Sequence, residues 1–151
     1  MRPLLMLIGF IFVLTTTPGY SETRSERYAS MAGRMLDAFE CHHLANLLQY
    51  FDQSKKFYEV GVEIGKQHLD ALLSDRITLI DQSSKMPATI ANAPRDQGSE
   101  FILGMAFQNA ENAVNRRLSH LLGGNWWDFE SSDRQPAMQQ MYGENSCFSF
   151  L

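Results

Sequence analysis

Apolar residues recur at helical spacing in three long stretches of this chain, with a weaker stretch near the end and one unbroken apolar run at the start. From Glu26 to Phe51, the residues Tyr28, Ala32, Met35, Leu36 and Phe39 share one helical face. Cys41, Leu44, Leu48 and Phe51 share another, rotated by more than a quarter turn at about 100° per residue. Such a helix either bends near Glu40 to His43 or touches two neighbours. A second helix is marked by Phe57, Gly61, Ile64, Gly65, His68, Leu69 and Leu72 on one side and by Lys56, Glu59, Glu63, Lys66, Gln67 and Asp70 on the other, the pattern of a helix that covers one side of a core. Gly61 and Gly65, four apart on that apolar face, predict close approach of another backbone. Their charged neighbours Glu59, Glu63 and Lys66 exclude a membrane helix pair.

A third helix is expected from Ser99 to about Leu122, with Leu103, Phe107, Ala110, Val114 and Leu121 in register and Gly123-Gly124 as its stop. Its opening, Phe101 to Phe107, is apolar all round and should sit at the centre of the core. A short final helix is expected from about Asp133 to Tyr142, opened by a capping box of Ser132 with Gln135 and ended at Gly143. Between the second and third helices, residues 76–98 hold the apolar cluster Ile77-Thr78-Leu79-Ile80 and the pairs Met86-Pro87 and Ala93-Pro94. A connection this long in a compact domain either carries function or caps an open end of the core. The expected fold is therefore all-α: an irregular bundle of three long helices plus a short C-terminal helix, closed by one disulfide.

The run Leu4–Leu14 follows Arg2 and precedes a polar, small-residue stretch, Thr15 to Ser21. It is too short for a spanning helix of about 20 residues and reads as a signal peptide over 1–21, cut before Glu22, with the bond after Gly19 as the second choice. No cysteine follows it directly, so no lipid anchor and no stable membrane anchor are expected. Export to the periplasm or beyond makes pairing of the only two cysteines, Cys41 and Cys147, the default. Loss of Arg2 with the leader takes the formal charge from -4 to -5. With Lys55-Lys56 and Arg116-Arg117 as isolated basic pairs, this balance argues against nucleic acid as a partner. The remaining residues, 22–151, suit one helical domain.

Glu40-Cys41-His42-His43 offers metal-ligand chemistry. Adjacent helical residues point about 100° apart, however, and an oxidised Cys41 provides no thiolate. No metal and no cofactor are expected. A haem held between His68 and one of Met31, Met35 or Met105 is chemically conceivable, but methionines more often fill core gaps. His68, central on an apolar face, reads as a candidate ligand-lining imidazole or as a core histidine bonded to a carbonyl or carboxylate. His120 falls where a helix C-terminus favours a cation. The sequence holds no Gly-x-Ser-x-Gly turn, phosphate loop, His-Glu-x-x-His or Cys-x-x-Cys-His.

Two aromatic groups stand outside the regular helices: Trp126-Trp127-Asp128-Phe129, and Phe148, Phe150 and Leu151 around the second cysteine. Loop aromatics either plug the end of a bundle or contact a partner. The layout of a small exported helical domain with one disulfide and no catalytic signature resembles that of periplasmic immunity or inhibitor proteins that neutralise secreted cell-wall or lipid hydrolases. That resemblance is one of layout and carries no residue roles. The leading expectation is a non-enzymatic binding protein, of inhibitor or immunity type among its forms, whose partner is another protein of the periplasm or cell exterior. Its candidate contact residues are Trp126, Trp127 and Phe129 with Met86 and Arg95 of the long connection. The alternatives are a ligand- or metal-binding bundle, an enzyme included, with His68 lining a pocket, and a periplasmic chaperone.

Overall fold

The structure is a computed structural model that describes residues 22–151; the expected signal peptide lies outside the described residues. Six α-helices follow one another: α1 (Arg24–Leu47), α2 (Phe51–Leu73), α3 (Leu79–Lys85), α4 (Ala88–Ala91), α5 (Ser99–Leu122) and α6 (Ser131–Glu144). The described residues contain no strand, so the chain is all-α, with α1, α2 and α5 as the three long helices and α6 as the short one near the end.

Helix α1 starts on a capping box. The Glu26 amide donates to Thr23 Oγ1 at 3.1 Å, and the Thr23 amide donates to Glu26 Oε2 at 2.8 Å, which satisfies two donors that the first turn leaves without helical partners. The helix then runs uninterrupted to Leu47. The rotation of its apolar face matches two sets of neighbours: Ala32, Met35 and Phe39 pack in one core, Cys41 and Leu44 in another. Phe51, read from the sequence as part of this helix, instead opens α2: the chain reverses at Leu48–Tyr50, with Gln49 in the left-handed region at φ 63°. The resulting α1/α2 hairpin is antiparallel, pairing Tyr28 with His68 and His42 with Ser54. Helix α5 runs along α1 in the same direction, pairing Phe39 with Phe107 and His43 with Asn115.

The two glycines of α2 permit this packing. A Cβ on Gly61 would lie 2.6 Å from the Phe39 ring, and one on Gly65 would lie 2.5 Å from Leu103 Cδ1 and 2.7 Å from Met35 Sδ. Close approach is thus made by side chains of α1 and α5 rather than by another backbone.

Two hydrophobic cores result. The first joins Ala32, Met35, Leu69, Leu72, Ile102 and Ala106 of the long helices to Ile77, Met86, Ile90 and Ala93, so residues 76–98 close the open end of the bundle. That segment is two short helices and a 3-10 turn at Arg95–Gln97 rather than an irregular loop; the Thr78 side chain caps α3 by accepting from the Asp81 amide at 3.2 Å. Its apolar cluster divides: Ile77 is buried, whereas Leu79 and Ile80 are 80% and 77% exposed. The start of α5 divides likewise, with Ile102, Leu103 and Ala106 buried and Phe101 exposed. At the far end of α5, Leu118 is buried where Leu121 was expected; Leu121 faces outward.

The second core gathers Leu44, Ala45, Phe57, Val114 and Leu118 with Met138, Met141 and Tyr142 of α6. Each such fully buried large side chain contributes about 1.5 to 3 kcal/mol relative to exposure. Helix α6 begins two residues earlier than expected, behind Glu130, without a side-chain cap from Ser132, and continues past Gly143 to Glu144. Cys41 and Cys147 are bonded within this core, both fully buried, with Cα atoms 5.5 Å apart.

Candidate functional site

The disulfide places the last residues of the chain against the α1/α2 turn. Cys147–Phe150 forms a 3-10 turn. From it Phe150 packs edge-on against Phe57 at 6.4 Å, and Phe148 packs against Tyr142 at 5.3 Å. Tyr142 also meets Tyr50 at 5.8 Å and Phe57 at 6.1 Å, and its hydroxyl donates to Gln53 Oε1 at 2.7 Å. Burial pushes the Tyr142 phenol pKa up, with Tyr50 as a lesser cause, so the hydroxyl keeps its proton and its bond to Gln53. One ring therefore holds a rosette of aromatic groups together. Its outer members face solvent, Phe148 68% and Tyr50 40% exposed, and Phe51, next to Tyr50 in the chain, is 64% exposed.

Beside the disulfide, Glu40 Oε2 accepts from Asn145 Nδ2 at 2.9 Å and from Arg117 at 3.2 Å, and Arg117 also donates to Asn145 Oδ1 at 2.9 Å. Burial pushes the Glu40 carboxyl pKa up, opposed by the Arg117 charge and the Asn145 hydrogen bond. These contacts tie α1, α5 and the end of α6 to one another next to the covalent link.

The residues singled out from the sequence do not form one surface. Trp126, Trp127 and Phe129 lie together just after α5. Met86 and Arg95 lie before its start, a helix length of about 35 Å away at 1.5 Å per residue. Met86 is buried in the first core, which removes it as a surface contact. Arg95 donates to Gln82 Oε1 at 2.6 Å and lies 3.9 Å from Asp75, fastening the end segment to itself. In the tryptophan turn, Phe129 packs on Gly124. Trp126 is half-buried with the Arg134 guanidinium 5.7 Å from its ring, and lines a cleft of about 360 Å³ with Leu47, Gln49, Arg134 and Met138. Its indole Nε1 is buried without a hydrogen-bond partner among the described residues. Trp127 alone of the three points clear, 59% exposed.

His68 is fully buried, and its Nδ1–H donates to the Tyr28 carbonyl oxygen at 2.7 Å; a carbonyl only accepts, which fixes the proton on Nδ1. Burial lowers its pKa despite that bond, and Nε2 has no partner among the described residues. The geometry is that of a core histidine joining α2 to α1, and the cleft beside Trp126 is lined by other residues. His42 and His43 are likewise engaged, His42 Nδ1 with the Ser54 carbonyl at 2.9 Å and His43 Nε2 with Asn115 Oδ1 at 3.1 Å. His120 is exposed in the last turn of α5. Among the described residues no three His, Cys, Asp or Glu side chains converge to hold a metal ion, and no helix is long and apolar enough to cross a membrane.

Phe51 escaped the sequence reading as a surface residue because it fits the apolar register of the preceding helix, and Tyr50 and Tyr142 because no local pattern sets them apart. The usable signal was the disulfide itself, which brings the aromatic tail back to the end of α1. No protein-family model matches this sequence, and no curated protein or solved structure matches it either.

Proposed function

We propose that this chain is an exported, non-enzymatic binding protein that recognises another protein of the periplasm or cell exterior through the aromatic surface of Tyr50, Phe51 and Phe148. The observation that carries this reading is the exposure of Tyr50 and Phe148 on a framework fixed by Tyr142 and by Cys41–Cys147, with exposed Phe51 next to Tyr50 in the chain. Rigid aromatics bury large area on binding while losing little rotamer freedom, which is why such groups dominate interface energetics. A buried disulfide fits a compartment that oxidises thiols and supports an extracytoplasmic destination. Relative to the sequence expectation, the contact surface moves from the tryptophan turn and the long connection to the disulfide end.

The test is affinity capture from an envelope extract of the source organism, with residues 22–151 in the oxidised form as bait beside a Phe51→Ala/Phe148→Ala double variant. A stoichiometric protein held by the first and lost from the second is the expected result. Absence of any partner, or equal retention by both, counts against the reading. Metal content and absorbance of the purified native protein test the ligand-binding alternative, which a bound metal or chromophore would favour.

A further inference from the structure

A second surface, which shares no residue with the aromatic rosette, has different chemistry. Asn112, Asn115, Arg116 and Ser119 occupy positions i, i+3, i+4 and i+7 of α5, one helical face. With Asn125 and Trp127 they line an open cleft of about 440 Å³. Amide side chains both donate and accept hydrogen bonds, as sugar hydroxyls do. An indole face carries negative quadrupole charge that attracts the weakly positive C–H bonds on one face of a pyranose ring.

The parts are held in place before any ligand arrives. Ser119 pins the tryptophan turn twice: its carbonyl accepts from the Gly124 amide at 3.0 Å and its hydroxyl from the Trp126 amide at 3.2 Å. Gly123 at φ 74° allows the reversal that makes this possible. The Trp127 ring stands against Trp126 at 6.2 Å, nearly perpendicular. One end of the Asn115 amide is committed to His43, whose other nitrogen lies 3.4 Å from Glu111 Oε1, leaving the opposite end of that amide for the cleft. Arg116 is the sole charged side chain of the lining and is exposed, without an ion-pair partner among the described residues. A planar guanidinium recognises a carboxylate in bidentate fashion.

From this cleft we infer that the protein binds an acidic saccharide, the pyranose stacking on Trp127, its hydroxyls meeting Asn112, Asn115 and Asn125, and its carboxylate meeting Arg116. The inference goes beyond the protein-binding reading, and the two can fail separately because their residues are disjoint.

The test is a glycan array of uronic-acid-containing and neutral oligosaccharides probed with the oxidised protein, with Trp127→Ala and Arg116→Ala, each shown folded by its helical circular dichroism. The tightest ligand is then titrated while the two tryptophan indole resonances are followed. Acidic glycans should be retained; the Trp127 resonance should move saturably, and each substitution should weaken binding at least about tenfold. Retention of no glycan, equal retention of neutral ones, or unchanged binding in either variant would overturn it. Phe51→Ala/Phe148→Ala should bind the same glycans unaltered.

Discussion

The two ends of this bundle are closed by different means. At the end of residues 76–98, short helices insert Ile77, Met86, Ile90 and Ala93 into the first core, and no covalent bond is involved. At the opposite end α6 and the last 3-10 turn close the second core, and Cys41–Cys147 fastens them. The first solution leaves Leu79 and Ile80 exposed on a seven-residue helix. The second leaves Tyr50 and Phe148 exposed, each braced by the Tyr142 ring, with exposed Phe51 beside Tyr50 in the chain. A cap held by packing needs only to exclude water, whereas an end held by a cross-link can support aromatic groups outside the core in a fixed arrangement.

Breaking the cross-link should have the largest effect. Closing a loop between residues 106 apart contributes up to about 4 to 5 kcal/mol in the chain-entropy description. Cys41→Ser/Cys147→Ser should lower the denaturant midpoint accordingly and speed amide exchange in α6 and the tail more than in the first-core half of α1 and α2. Ile90→Ala should do the converse at the other end. The side chain is fully buried, so its loss should cost about 2 to 5 kcal/mol and speed exchange around residues 76–98, with the disulfide end protected. At the joint, Gly61→Ala should cost about 1 to 2 kcal/mol, since its Cβ meets the buried Phe39 ring and helix propensity recovers only part of the overpacking. Gly65→Ala should cost less, because the terminal atoms of Leu103 and Met35 can move.

The ends should also differ in pH response. His68 lies on the first-core side and has a folded pKa below its ordinary 6.5. Above that value neither state is protonated and the residue adds no pH dependence. As pH falls below it, the unfolded chain takes up a proton that the fold refuses, so stability declines until the folded pKa is passed. Glu40, at the disulfide end, has a raised pKa and acts in the opposite sense: the fold holds its proton more firmly, so stability rises as pH falls through the folded pKa. Denaturation midpoints of His68→Phe and Glu40→Gln against pH should each remove one of these slopes. The smallest effect is expected from Leu79→Ser/Ile80→Ser, within about 0.5 kcal/mol, as both side chains already face water.

The long helices were legible because several turns of amphipathic pattern specify both a helix and its buried face; α5 has the bounds expected of it, and the stop at Gly123 follows from its left-handed conformation. Helices α3 and α4, of seven and four residues, hold too few turns for a period to emerge, and Leu79-Ile80 reads as core until its neighbours are known. The start of α6 was misplaced because Ser132 with Gln135 matches a capping box that the fold does not use. The aromatic rosette depends on contacts across about a hundred residues, so no local pattern announces it. By contrast, the Asn112, Asn115, Arg116 and Ser119 stripe was present in the sequence at helical spacing; what the helix alone did not supply was Trp127 beside it.

The most direct measurement is site-specific photocrosslinking in the source organism, with a photoreactive phenylalanine analogue placed in turn at positions 51, 148 and 80. The account predicts one covalent protein adduct formed from positions 51 and 148 and none from position 80. An adduct from position 80 alone, or none from any of the three, would contradict it.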